Sequence, residues 1–378
     1  PVAAELPTPE RGASEFEAAM RAWDPQRAER ALLSLARSEG PRSTMERLWP
    51  YAARDWSFIG HLAISVTHCW RTLETIGWQH ADPVLRFVIS DLHRWSNKTL
   101  KDQPYPVNVE LSRRDFSTLP PDWAAAEGDN GATLELLQVM RTGNWREACD
   151  WTSRELTAGR IRAGSVWDAV HVAAAEFMVR FKLGGRRITN RALHSNTSAN
   201  SLHYAFHACL DPQSRFLILL QAVGWVTGFI QNELQRDMLR DLKVTDSPDV
   251  ELPPDAATAV DNIFASLPAR SFLDEIEDRT SQDEASQLAF AYASKFPDVQ
   301  PFLRSARRFL CTKATINAHD IKYPIAMFEN LDFVSPHWRP HLLAGTAHFI
   351  NKTKSDDNPV IQRALAVLQR PVAIRIPQ

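Results

Sequence analysis

The segment Ala318-His319-Asp320-Ile321-Lys322-Tyr323 places a histidine, an aspartate and a lysine within four residues. On a helix His319 and Lys322, three residues apart, share one face. A neutral imidazole is a ready metal ligand, whereas an ammonium beside it repels a cation. The lysine is useful there only if burial depresses its pKa and frees an amine to react or to take up CO2 as a carbamate. The plainer alternative is a helix with a hydrogen-bonded histidine and a solvated lysine.

The chain has 12 histidines, and helical phase sorts several of them. His61 and His68, seven apart, return to nearly the same face, and His203 and His207, four apart, share another. If 188–209 is one continuous helix, His194 lies roughly opposite that pair, so the two positions serve different surroundings. His337, His341 and His348 fall on one stripe interrupted by Pro340. Carboxylates near histidines in the sequence are Asp55, Glu74, Asp168, Glu176 and Asp320. No HExxH zinc motif, EF-hand loop or Gly-rich phosphate loop is present, and Gly184-Gly185 reads as a turn. Ser195 follows His194, but no nucleophile elbow surrounds it. Trp56, Trp70, Trp78, Trp167 and Trp225 are candidates for the walls of an aromatic pocket or for core packing.

Almost every segment that must position these residues reads as helix. Asp24-Pro25, Asp82-Pro83, Asp211-Pro212 and Ser335-Pro336 pair an N-cap residue with proline at the first helical position. The apolar periodicity predicts helices over 58–77, 82–97, 129–142, 144–158, 165–182, 188–209, 212–238, 254–266, 281–295, 299–323 and 336–351. Only the tail, Val372 to Ile376, reads as strand. The expected fold is therefore all-α, more than half helix, and a single large multi-helix domain over 1–378 around a central metal and substrate pocket. The proline-bearing stretches 101–128 and 241–256 are candidate internal junctions. No fixed-period repeat argues for a solenoid.

With 378 residues, 44% hydrophobic and 23% charged, the chain has ample length for a core of ordinary composition. A formal charge of −2 gives no footprint for nucleic acid or an anionic membrane, and no apolar run reaches the length of a membrane span. Cys69, Cys149, Cys209 and Cys311 are far apart within apolar helical patterns, which predicts buried thiols and neither a disulfide frame nor a CxxC site. We expect the cytoplasm, with a processed exported form left open because the chain begins at Pro1. Composition says nothing of oligomeric state.

Three stretches resemble the questin oxidase-like family of fungal polyketide pathways and many bacteria. These are Gly60-His61-Leu62-Ala63-Ile64 running to Leu73 and Gly77, Leu193-His194-Ser195-Asn196-Thr197, and His319-Asp320-Ile321-Lys322 with Glu329 and Ala344 to Ala347 downstream. A weaker match places Trp167 to Glu176, with His171, on the family's His and Glu helix. The resemblance implies an all-helical oxygenase acting with O2 on polycyclic aromatic compounds, some members opening the ring. It also implies non-haem Fe(II) held by His61, His171, His194 and His319, with Lys322 carboxylated. This sequence departs from the pattern at Gly60, where Asn is usual, and at Ile64, where a second His is common. His68 and His207 are alternatives to His171. Whether NADPH or another reductant is needed is not legible. A carbamate oxygen offsets part of the Fe(II) charge, and Glu176 or Asp320 would orient the histidines. Two other readings stand beside this one: a helical His-Asp metal hydrolase, and a helical small-molecule-binding protein without catalysis.

Overall fold

The computed structural model describes residues 6–54, 56, 59–94, 103–182, 186–241, 250–267, 280–313, 318–350 and 357–368, with 186–189 described by backbone alone. The elements are α1 (Pro9–Ala22), α2 (Pro25–Ser38), α3 (Gly40–Ala52), α4 (His61–Ile76), α5 (Ala81–Leu92), α6 (Pro104–Asp115), α7 (Asn130–Arg141), α8 (Trp145–Thr157) and α9 (Ala163–Arg180). They continue as α10 (Arg186–Ala208), α11 (Pro212–Leu234), α12 (Ala256–Ser266), α13 (Thr280–Lys295), α14 (Gln300–Lys313), α15 (His319–Phe333), α16 (Arg339–Phe349) and α17 (Pro359–Leu368). The protein is all-α. Among the described residues the one strand-like feature is an isolated bridge between Phe181 and Leu239.

Side chains close the helix ends much as the sequence predicts. Asp24, Asp129, Asn144, Asp211 and Asp255 each accept a hydrogen bond from the backbone N–H three residues on, satisfying donors that a helix start leaves open. Two predicted caps depart from this pattern: α5 already begins at Ala81 and the Asp82 carboxylate pairs with Arg37, and Ser335 precedes the 3-10 turn Pro336–Trp338 without a side-chain cap.

Every residue of α9 is buried, as is most of α11 between Phe216 and Ile230. A helix that is apolar all round must lie inside, and these two form the axis of the fold. α10 packs on both and also touches α4 and α15, so it separates the inner pair from an outer layer. One apolar core runs from Phe16 to Ile350.

Several boundaries differ from expectation. The periodic run 299–323 is divided between α14 and α15, so His319 opens a helix instead of closing one. Residues 101–128 hold α6, masked in the sequence because its prolines fall at the first turn, where no N–H is required. α17 was not anticipated. Cys69, Cys149 and Cys209 are buried but Cys311 is exposed, since its apolar neighbours occupy the other face of α14. Val372 to Ile376, Gly184-Gly185 and Asp55 lie outside the described residues. No described helix is long and apolar enough to cross a membrane.

Candidate metal centre and adjoining pockets

α4, α10 and α15 bring His61, His194 and His319 together although more than a hundred residues separate each from the next. His61 Nε2 and His194 Nε2 are 2.9 Å apart. The His319 ring meets the His194 ring edge-on at 5.3 Å between centroids. His194 is the middle member, and its tautomer is fixed by Nδ1–H donating to the backbone carbonyl of Asn190 at 2.5 Å. Its Nε2 therefore faces His61 as a lone pair. His61 sits at the first position of α4 and His319 at the first position of α15, each aimed by the turn before it.

Burial pushes His194 down to about 3 and His61 down to about 4, the nearby Lys322 charge adding to the latter. Both rings are neutral at physiological pH and able to donate lone pairs. Burial also lowers the pKa of Lys322. Among the described residues no carboxylate pairs with it, and Glu176 is held bidentately by Arg141 at 2.9 and 2.5 Å. Glu176 thus orients none of the three clustered histidines. Ile321 and Ile325, 45% and 42% exposed, line the same small cavity as the lysine. Lys322 shares that cavity with Ile64 of α4 and with Thr197 and Asn200 of α10.

The donor set suits a late first-row divalent ion. Two imidazole nitrogens bound to one ion at about 2.1 Å and a right angle lie about 3 Å apart, close to the separation found. Among the described residues no group of three or more His, Cys, Asp or Glu side chains is placed to hold a metal ion; the arrangement is a hydrogen-bonded pair with a third ring alongside. Asp91, whose charge acts on His61, went unnoticed in the sequence. It accepts hydrogen bonds from Ser65 at 2.5 Å and Arg94 at 2.7 Å.

His171 does not join this group. It projects from α9 to the opposite side of α10, where its Nε2 is 2.8 Å from His203 Nδ1, and His203 Nε2 is 3.0 Å from His207 Nε2. The phase argument that separated His194 from His203 and His207 describes the structure. What it lacked was the packing of α9, which puts His171 with the second set. His341 and His348 are buried elsewhere, His348 beside Ser286.

Two cavities follow the same three helices. The smaller, about 210 Å3, is lined by Ile64, His68, Thr197, Lys322 and Ala326 among others. The larger cleft, about 400 Å3, is walled by Trp49, Trp70, Tyr204, His207 and Phe333. Between them stands the Arg71–Glu329 ion pair at 2.6 Å, with Asn200 donating to Glu329 at 3.2 Å and the Arg71 guanidinium over the Tyr204 ring at 5.0 Å. Of the five tryptophans singled out in the sequence, Trp70 lines the cleft. Trp167 stacks on His203, Trp78 donates to Ala36, Trp56 packs on Gly228 and Phe229, and Trp225 is core.

Gly60, at the N-cap of α4, has φ +77°, and a Cβ there would meet the Ser198 Cβ at 2.5 Å. The left-handed backbone and the close approach of α4 to α10 both require glycine. Gly60→Ala is expected to cost about 2–4 kcal/mol from backbone strain and overpacking, read as a lowered denaturation midpoint. It should also separate His61 from His194. Unchanged stability would show that the helices yield freely at this point.

No protein family, curated protein or solved structure matches this chain. The class that fold and site define is an all-α protein with a buried polyhistidine cluster beside an aromatic cleft.

Proposed function

We propose that the protein is a non-haem iron oxygenase acting on an aromatic, polyketide-like small molecule, with His61, His194, His319 and the carbamate of Lys322 as metal ligands. The observation that carries this reading is the approach of two neutral imidazoles at 2.9 Å beside a half-buried lysine that has no carboxylate partner among the described residues. Bound Fe(II) would supply redox reactivity toward O2.

The chain's own groups have definable tasks. The Asn190 carbonyl keeps the His194 lone pair directed at its neighbours. Desolvation shifts Lys322 toward the neutral amine, whose Nζ can attack CO2, forming an N–C bond and releasing one proton. The resulting anion balances a cation that an ammonium would repel. Arg71 and Glu329 form an ion pair in the wall of the small pocket.

The test is iron content, oxygen uptake with a hydroxylated anthraquinone, and 13C NMR after exchange with labelled bicarbonate. One iron per chain is expected, with a carbamoyl signal that disappears in Lys322→Met. Absence of stoichiometric iron in protein prepared anaerobically with Fe(II) and bicarbonate would overturn the reading. A carbamoyl signal that survives in Lys322→Met would remove the lysine from it.

A further inference from the structure

We propose that the larger cleft is a binding site for a neutral planar aromatic molecule bearing a phenolic hydroxyl or a ring carbonyl, held between Trp70 and Phe333 and hydrogen-bonded by His207. The proposal rests on the functional reading for its aromatic ligand class alone and needs no metal. At about 400 Å3 the cleft is of ordinary size for a small-molecule site. Phe333 and Leu210 leave 44% and 58% of their surface in water at its wall, apolar area that a flat ring would cover. Glu46 and Glu74 stand at the same wall with Arg42. Both carboxylates are engaged, Glu46 by the backbone N–H of Leu210 at 2.9 Å and Glu74 by the Tyr204 hydroxyl at 3.1 Å. Their charge disfavours an anionic guest.

Recognition of the polar substituent falls to the imidazole chain. His207 is exposed at the cleft, while His203 and His171 behind it are 4% and 1% exposed. Trp167 lies flat on His203, with centroids 4.1 Å apart and planes at 12°, and holds it in line. Desolvation lowers the pKa of all three rings and favours their neutral forms, in which each of the two links carries one proton. With both protons directed inward, His207 Nε2–H donates to His203 and His203 Nδ1–H donates to His171. His207 Nδ1 is then an acceptor for a phenol. With both shifted outward, His207 Nδ1 carries the hydrogen and donates to a carbonyl. The two arrangements are tautomers of all three rings: besides the two link protons, one hydrogen leaves His171 Nδ1 and one joins His207 Nδ1, both exchanged with water on local opening, so no net charge is created. His171 Nδ1 has no partner among the described residues, so the buried end imposes little preference. A surface histidine backed by such a chain meets a donor or an acceptor equally well.

The test is a titration of metal-free protein, by tryptophan fluorescence and calorimetry, with 1-naphthol, chromone and naphthalene. Naphthol, a donor, and chromone, an acceptor only, should each bind about tenfold more tightly than naphthalene, the difference one hydrogen bond makes. His207→Phe should abolish that preference while retaining aromatic surface. Phe333→Ala should weaken all three probes, and His61→Ala none. Equal binding of the three, a preference for only one polar probe, or a preference that survives His207→Phe would overturn the proposal. Iron content at His61, His194 and His319 is measured separately, so loss of one result leaves the other standing.

Discussion

His194→Ala is expected to remove essentially all bound iron while leaving the helical circular dichroism unchanged. His194 is the middle ring, touching His61 at 2.9 Å and His319 at 5.3 Å between centroids. It is also fixed in tautomer by the Asn190 carbonyl. Its loss should exceed the roughly 10–100-fold fall in metal affinity that follows removal of an outer-shell partner. His171→Ala is the control: it shares neither helix face nor neighbour with the cluster, so iron content should hold. Lys322→Ala should fall between the two and should not be restored by added bicarbonate. If His194→Ala keeps a full equivalent of iron, the cluster is not the metal site. If His171→Ala loses it as fully, the chain on the inner face of α10 is involved as well.

The second large effect is on acid stability. Burial holds His61 at about 4 and His171, His194 and His341 at about 3, against an ordinary value near 6.5 in the unfolded chain. At pH between these limits the unfolded state binds more protons, so stability rises with pH there. The contribution is complete above about pH 6.5 and is lost progressively as pH falls toward the folded-state values. Each well-buried imidazole is worth on the order of 1 kcal/mol or more. His61 is partly hydrated and contributes less. The melting temperature of metal-free protein should therefore fall steeply from pH 6.5 to 4. His171→Phe should flatten that slope, because the phenyl ring has no proton to gain. A melting temperature level across this range would contradict the neutral, buried state of the histidines. Bound metal competes with protons for the same lone pairs, so the holoprotein should show the fall at lower pH.

Local chemistry was legible from the residues alone. Helix positions and the opposition of His194 to His203 and His207 follow from a period of about 3.6 residues, and the Asp24 and Asp211 caps from their residue types. That phase is set within one helix. Pairing between helices is not, because it depends on which faces meet when the whole core closes. Hence His171, plausible as a ligand by its place in the chain, lies with His203 and His207 because α9 packs against the inner side of α10. Glu176 is claimed by Arg141, reaching across from α7. The lysine shows the same division. Its type and its spacing from His319 mark Lys322 as a candidate reactive amine, yet the cavity it lines also draws Ile64 and Thr197 from α4 and α10, distant in sequence. The aromatic cleft, too, draws Trp49, Trp70, Tyr204 and Phe333 from four helices. No local pattern relates them, because only the closing of the helix layers sets which rings share a wall.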